Sequence, residues 1–196
     1  MRKFIWLLTV LALLLSGCST ALAPTESPIA ASLAGAMAEG FGAQTVPIEG
    51  GSFVTKYDEG LKNRTTNLEV SAKAVDGTIL MPGEVFSFNE IIGKATRAKG
   101  YRNAKIFING REVDGMGGGI CQLSSTLYNA ADFAGLKIVE RHPHSKRVEY
   151  VKVGRDAATA YRGVDLKFEN NTDAPVKIVA KAQKGELYCG IETVIA

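Results

Sequence analysis

Cys121 stands directly after Gly117-Gly118-Gly119-Ile120, and the only two histidines of the chain, His142 and His144, follow within about one helix and one strand of it. A thiolate is the nucleophile of acyl-transfer chemistry, and an imidazole within reach is its usual base. Three consecutive glycines let the backbone take unusual angles and let a substrate carbonyl approach amide N–H groups unobstructed. With the N–H of Cys121 or Gln122, Gly117, Gly118 and Gly119 are therefore expected to form an oxyanion hole. Either His142 or His144 can serve as base on this reading, with Asp156 or a backbone carbonyl orienting the other ring nitrogen. The competing reading is a tight turn followed by a cysteine that packs as a small hydrophobe. Two histidines and a thiol without a local carboxylate set make a poor metal site, so no metal and no cofactor are expected.

Such a constellation needs a rigid support. Ile120, Leu123, Leu127, Ala130, Ala131 and Ala134 recur at spacings of three and four, which predicts a helix over 120–134 with one buried face and Gly135 as its stop. Cys121 then lies in the first turn, where unpaired amides and the helix dipole favour an anion and lower a thiol pKa. A helix running out and a strand, LKIVER, running back return the histidines to that end.

Elsewhere SFVTKYD reads as a strand and NRTTNLEVSAKAVDG as a helix ending at Gly77. TILMPGEVFSFNEIIG gives two short strands around Pro82-Gly83, the second over 84–88, and AKIFINGREV a hairpin around Asn109-Gly110. VEYVKV, VDLKFENN and APVKIVAKA read as further strands, and GELYCGIE as a terminal one. The class is α+β, with a mostly antiparallel sheet packed on a central helix whose N-terminus carries the cysteine.

The N-terminus has a separate organisation. Arg2 and Lys3 precede an apolar run from Phe4 to Leu15, shorter than the roughly 20 residues a bilayer core needs, so residues 1–17 read as an export signal. Leu15-Ser16-Gly17-Cys18 resembles the lipobox of bacterial lipoproteins, which implies lipidation at Cys18, a membrane anchor through that lipid, and a place in the bacterial envelope facing the wall. Residues 18–47 are rich in Ala, Ser, Pro and Gly and read as a tether with an end-to-end distance of roughly 30 Å. The domain is expected over 48–196. Removing Arg2 and Lys3 takes the formal charge from +3 to near neutrality, which argues against a nucleic-acid partner. Cys121 and Cys189 can pair or stay free by count alone; a pair would occupy the nucleophile, so Cys189 is expected to be unpaired.

MPGEVFSFNEIIG, GYRNAKIFINGREVDGMGGGICQLSSTLYNAADFAGLKIVERHPHS, YVKVGRDA and DLKFENNT together resemble the VanW-like domain of bacterial envelope proteins, over roughly residues 52–180. The resemblance implies L,D-transpeptidation of peptidoglycan stem peptides: a thioester on Cys121 from a tetrapeptide stem, resolved into a 3-3 cross-link, or hydrolysed in a carboxypeptidase reaction. It implies His144 as the base ahead of His142, and places Arg141, Tyr150, Arg155 and Asp156 on motif positions, with Arg141 or Arg155 as a fork for a substrate carboxylate. A non-catalytic envelope module, accessory to glycopeptide resistance, is the alternative on the same residues. Oligomeric state is not legible.

Overall fold

The computed structural model describes residues 44–108 and 111–195. The export signal, Cys18, most of the tether and the Asn109-Gly110 turn lie outside them. The described residues form nine strands and three α-helices, and every strand pair is antiparallel, which fits the α+β class.

The main sheet has the order β1-β9-β8-β2, from Gln44–Lys56, Glu186–Ile195, Val176–Gln183 and Ile79–Leu80. Its long pair β8–β9 turns at Lys184-Gly185, and β1 joins β9 with a register shift between Pro47 and Ser52. Helices α1 (Lys62–Val75) and α3 (Ile120–Phe133) pack on this sheet and on each other. Leu68, Val75, Leu123, Leu127, Ala130, Ile178 and Leu187 are fully buried between them. A second sheet, β3-β7-β6, comprises Val85–Ser87, Lys167–Glu169 and Lys137–Glu140. Phe86 and Phe168 stack across it with ring centroids 4.7 Å apart. The pair β4 (Asn103–Ile108) and β5 (Arg111–Met116) forms the expected hairpin and delivers the chain into the glycine run.

Three expected strands differ. The strand expected over 84–88 ends at Ser87, and Phe88–Ile92 is a short helix, α2, because the Ser87 hydroxyl accepts from the Glu90 amide and caps it. That Ser-x-x-Glu spacing was a readable helix start. VDLKFENN keeps only β7, and VEYVKV forms no strand.

The last difference has a cause in α3. Its apolar stripe is buried as the periodicity requires, yet Gln122, Ser124, Ser125, Thr126 and Asn129 are buried as well. This second, polar face binds the chain after Gly154. Ser124 Oγ donates to Ala157 O at 2.6 Å, Asn129 Nδ2 to Arg155 O at 2.7 Å, and the Ala157 amide to Ser125 Oγ at 2.9 Å. Side chains of the helix thus fix the backbone of residues 155–157, directly after VEYVKV, to α3 rather than to a sheet. At the far end, Gly135 adopts φ +77° and the Leu136 amide bonds Ala131 O at 3.0 Å, closing the helix in a Schellman turn.

Candidate active site

The glycine run is built for close approach. Gly117 and Gly119 have φ of +79° and +113°, where any side chain is strained. Gly118 has no room, since a Cβ there would lie 2.5 Å from Lys105 O in β4. Asn67 of α1, fully buried, clamps the run: its Nδ2 donates to Gly118 O at 2.9 Å and Arg102 O at 3.0 Å, while its Oδ1 accepts from the Arg102 amide at 2.7 Å. Gly119 is the N-cap of α3, and Cys121 is the helix's second residue.

Not all the expected amides are free. The Gly117 N–H donates to Arg102 O at 3.0 Å, and that of Gln122 to Gly119 O at 2.8 Å. Among the described residues the amides of Gly119 and Cys121 have no acceptor, and both residues line a cavity of about 760 Å³ that also exposes Arg64, Ile106, His144, Tyr150, Thr159 and Tyr161. Gln122 is a support: its amide nitrogen donates to Thr55 Oγ1 at 3.0 Å and Lys56 O at 2.9 Å, and its oxygen accepts from Arg64 Nη2 at 2.7 Å.

Cys121 is half-buried and unpaired, with Sγ 3.4 Å from Thr159 O. Burial pushes its thiol pKa up, but hydrogen bonds to His144 and Thr159, with the charge of His144, prevail and bring it below the usual thiol value. The same pairing raises His144, whose burial acts the other way, through Cys121 and then Asp156. The two shifts run toward each other, as expected for a thiol and an imidazole that exchange one proton.

His144 is held from behind. Asp156 Oδ2 lies 2.6 Å from Nδ1 and accepts the His144 backbone N–H at 2.6 Å. This contact fixes the proton on Nδ1 and aims Nε2 at the cavity, where the Tyr150 hydroxyl sits 3.5 Å from Nε2 and donates to Cys121 O at 3.3 Å. Asp156 is fixed in turn by Arg141, whose Nη2 meets Oδ1 at 3.0 Å and whose Nε donates to Asp156 O at 2.6 Å. The carboxyl pKa falls below its ordinary value, since bonds from His144 outweigh burial.

The two histidines separate clearly. The His144 side chain is 12% exposed and faces Cys121; His142 is 42% exposed and pairs with Glu140 Oε1 at 3.0 Å. The arginines change roles. Arg141 is spent on Asp156, and Arg155 reaches away from the thiol, donating to Asn129 Oδ1 at 2.6 Å and Asp132 Oδ2 at 2.8 Å with its guanidinium 4.7 Å from the Phe133 ring centroid. Neither lines the cavity, so neither is placed as a carboxylate fork. Two other arginines do line it, Arg147 in the loop after His144 and Arg64 on α1, and of these only Arg64 is tied to the elements that carry Cys121, through Gln122. Sequence reading passed it over, although a readable signal existed: Arg64, Asn67 and Ser71 share one helix face with Leu68, placing polar groups on the side that packs.

The family described as VanW like protein matches residues 63–191. The chain is 46% identical over 137 residues to the uncharacterized protein YoaR of Bacillus subtilis (strain 168), covering 70% of this chain and 45% of that protein. It is 31% identical over 123 residues to the vancomycin B-type resistance protein VanW of Enterococcus faecalis (strain ATCC 700802 / V583), covering 60% of this chain and 44% of that protein. Each match thus spans less than half of the relative's length. No solved structure matches the chain.

Proposed function

The chain belongs to the VanW-like family, and on that premise we propose that its domain is a cysteine-dependent L,D-transpeptidase of peptidoglycan. The observation that carries this reading is the Cys121–His144–Asp156 line, with a thiol lowered and an imidazole raised by each other at the wall of a cavity large enough for a peptide. A structural cysteine needs neither feature.

In the proposed reaction His144 Nε2 takes the Cys121 proton, and Sγ attacks the carbonyl preceding the terminal D-Ala of a tetrapeptide stem. The amides of Gly119 and Cys121 receive the developing oxyanion. The C–N bond breaks, and D-Ala leaves as an amine carrying the proton from His144. The side-chain amine of a neighbouring stem's diamino acid then attacks the thioester and gives its proton to His144. The C–S bond breaks, the thiolate returns, and a 3-3 cross-link is released. Water in place of the amine gives a tripeptide, the L,D-carboxypeptidase outcome. Asp156 and Arg141 act only by positioning His144. Lipidation at Cys18 and the tether hold the domain at the membrane, facing the wall.

The full chain in detergent micelles, incubated with purified muropeptides and followed by mass spectrometry, is expected to yield 3-3 dimers or tripeptides, and Cys121→Ala to yield neither. Absence of both products from the unmodified chain, or an unimpaired Cys121→Ala chain, favours the non-catalytic envelope module instead. Incorporation of labelled palmitate that is lost in Cys18→Ser tests the anchor.

A further inference from the structure

Arg64 is a fixed cation without a counter-ion. Its stem crosses Gly119 so closely that a Cβ on that glycine would lie 3.1 Å from Arg64 Cγ. Its head is tied through Nη2 to Gln122 Oε1, and Gln122 is 2% exposed and itself bonded to Thr55 and Lys56. Thr55 continues the chain of contacts to Thr126 Oγ1 at 2.8 Å, so the guanidinium is oriented by α3 and β1 together. Among the described residues no carboxylate pairs with it; the charges it senses are those of Tyr150 and Cys121, and burial lowers its pKa. A partly desolvated guanidinium is costly without an anion, and here only one of its donors is used.

We propose that Arg64 binds the carboxylate of the residue that leaves, so that the site selects peptide donors ending one residue beyond the scissile carbonyl. The identity of the donor as a wall peptide rests on the reading above; the carboxylate site rests on Arg64 itself. In such a donor the carboxylate carbon is three bonds from the scissile carbonyl carbon, within roughly 4 Å of it. A carbonyl at Cys121 Sγ therefore brings that anion beside Gly119, where the Arg64 stem passes. The Gln122 bond uses one of the two Nη2 hydrogens, so the other, paired with Nη1–H or Nε–H, leaves a fork for a two-point grip on the carboxylate, pre-set before substrate arrives. Arg64 is thus a specificity-determining residue, filling the role that sequence reading had given to Arg141 or Arg155.

The test uses binding, so it does not depend on turnover. Full-length Cys121→Ala in detergent is titrated calorimetrically with L-Ala-γ-D-Glu-X-D-Ala, where X is L-lysine or meso-diaminopimelate, each ending in a free carboxylate or a carboxamide. Loss of charge-assisted bonds to the terminal group is expected to weaken the amides on the order of 10–100-fold. Adding Arg64→Ala is expected to remove this preference, the acid losing more affinity than the amide so that the two bind alike. Arg64→Lys, which keeps the charge and loses the fork, is expected to fall between and serves if the alanine variant does not fold. Equal binding of acid and amide, a preference that survives Arg64→Lys undiminished, or no binding of any of the four peptides overturns the proposal. A chain that prefers the free acid through Arg64 yet releases no D-Ala when Cys121 is present overturns transpeptidation and leaves the carboxylate site standing.

Discussion

Asp156→Asn isolates the orientation of the base from everything else at the site. The side chain is nearly isosteric, but its two ends no longer both accept. In the native arrangement Oδ2 accepts two N–H groups of His144, each at 2.6 Å, and Oδ1 accepts Arg141 Nη2 at 3.0 Å. An asparagine that keeps its oxygen toward Arg141 points an NH₂ at the His144 amide and leaves Nδ1 to act as acceptor, which moves the ring proton to Nε2 and disables the base. Turned the other way, it opposes its NH₂ to the Arg141 guanidinium. Each orientation replaces a bond involving charge, worth about 1.5–3 kcal/mol, by opposed donors. Acyl transfer is expected to fall by about 10²–10⁴-fold, the range lost when a positioned base is misoriented. The direct assay is iodoacetamide alkylation of Cys121 across pH. The unmodified chain is expected to react below the ordinary thiol pKa, whereas the variant's profile moves toward that ordinary value. A folded Asp156→Asn chain whose alkylation profile is unchanged would refute the coupling of Asp156 to the thiol through His144.

His144→Ala is expected to shift the alkylation profile upward and abolish transfer, while His142→Ala, on an exposed ring paired to Glu140, leaves rates within about twofold; the reverse order in folded variants reassigns the base. In native alkylation Cys189, fully buried with its pKa pushed up by burial, stays unmodified under conditions that modify Cys121, and peptide mapping without reduction finds no Cys121–Cys189 link. Gly118→Ala forces a Cβ to 2.5 Å from Lys105 O, and urea unfolding is expected to show a loss of about 1–3 kcal/mol. Stability also carries a pH signature. Asp156, lowered on folding, contributes fully above its unfolded pKa of about 4 and loses that contribution as pH falls through the folded value; His144, raised on folding, contributes below about 6.5 and loses it as pH rises through its folded value. The stability difference between the native chain and Asp156→Asn is accordingly largest between those limits, and a difference that grows as pH falls below 4 contradicts this account.

What the sequence determined by itself is local. The three- and four-residue spacing from Ile120 to Ala134 dictates a helix, since only one periodicity buries that stripe; Gly117 and Gly119 answer positive φ, and Gly135 the αL stop. Together these place Cys121 in the first turn, and His142 and His144, two residues apart, are the only histidines in the sequence. What stayed illegible depends on partners far apart in sequence. Whether Arg141, Arg155 or Arg64 faces the thiol is settled by hydrogen bonds spanning 15, 26 and 58 residues, to Asp156, Asn129 and Gln122. VEYVKV has the composition of a strand, yet residues 155–157 bind the polar face of α3, and the loop before them is carried along. β-propensity describes a half-buried pleated surface, and only tertiary packing decides whether such a surface is offered. Choice between His142 and His144 turned on the same packing, because the carboxylate that orients the ring reaches it only when the loop has folded against the helix.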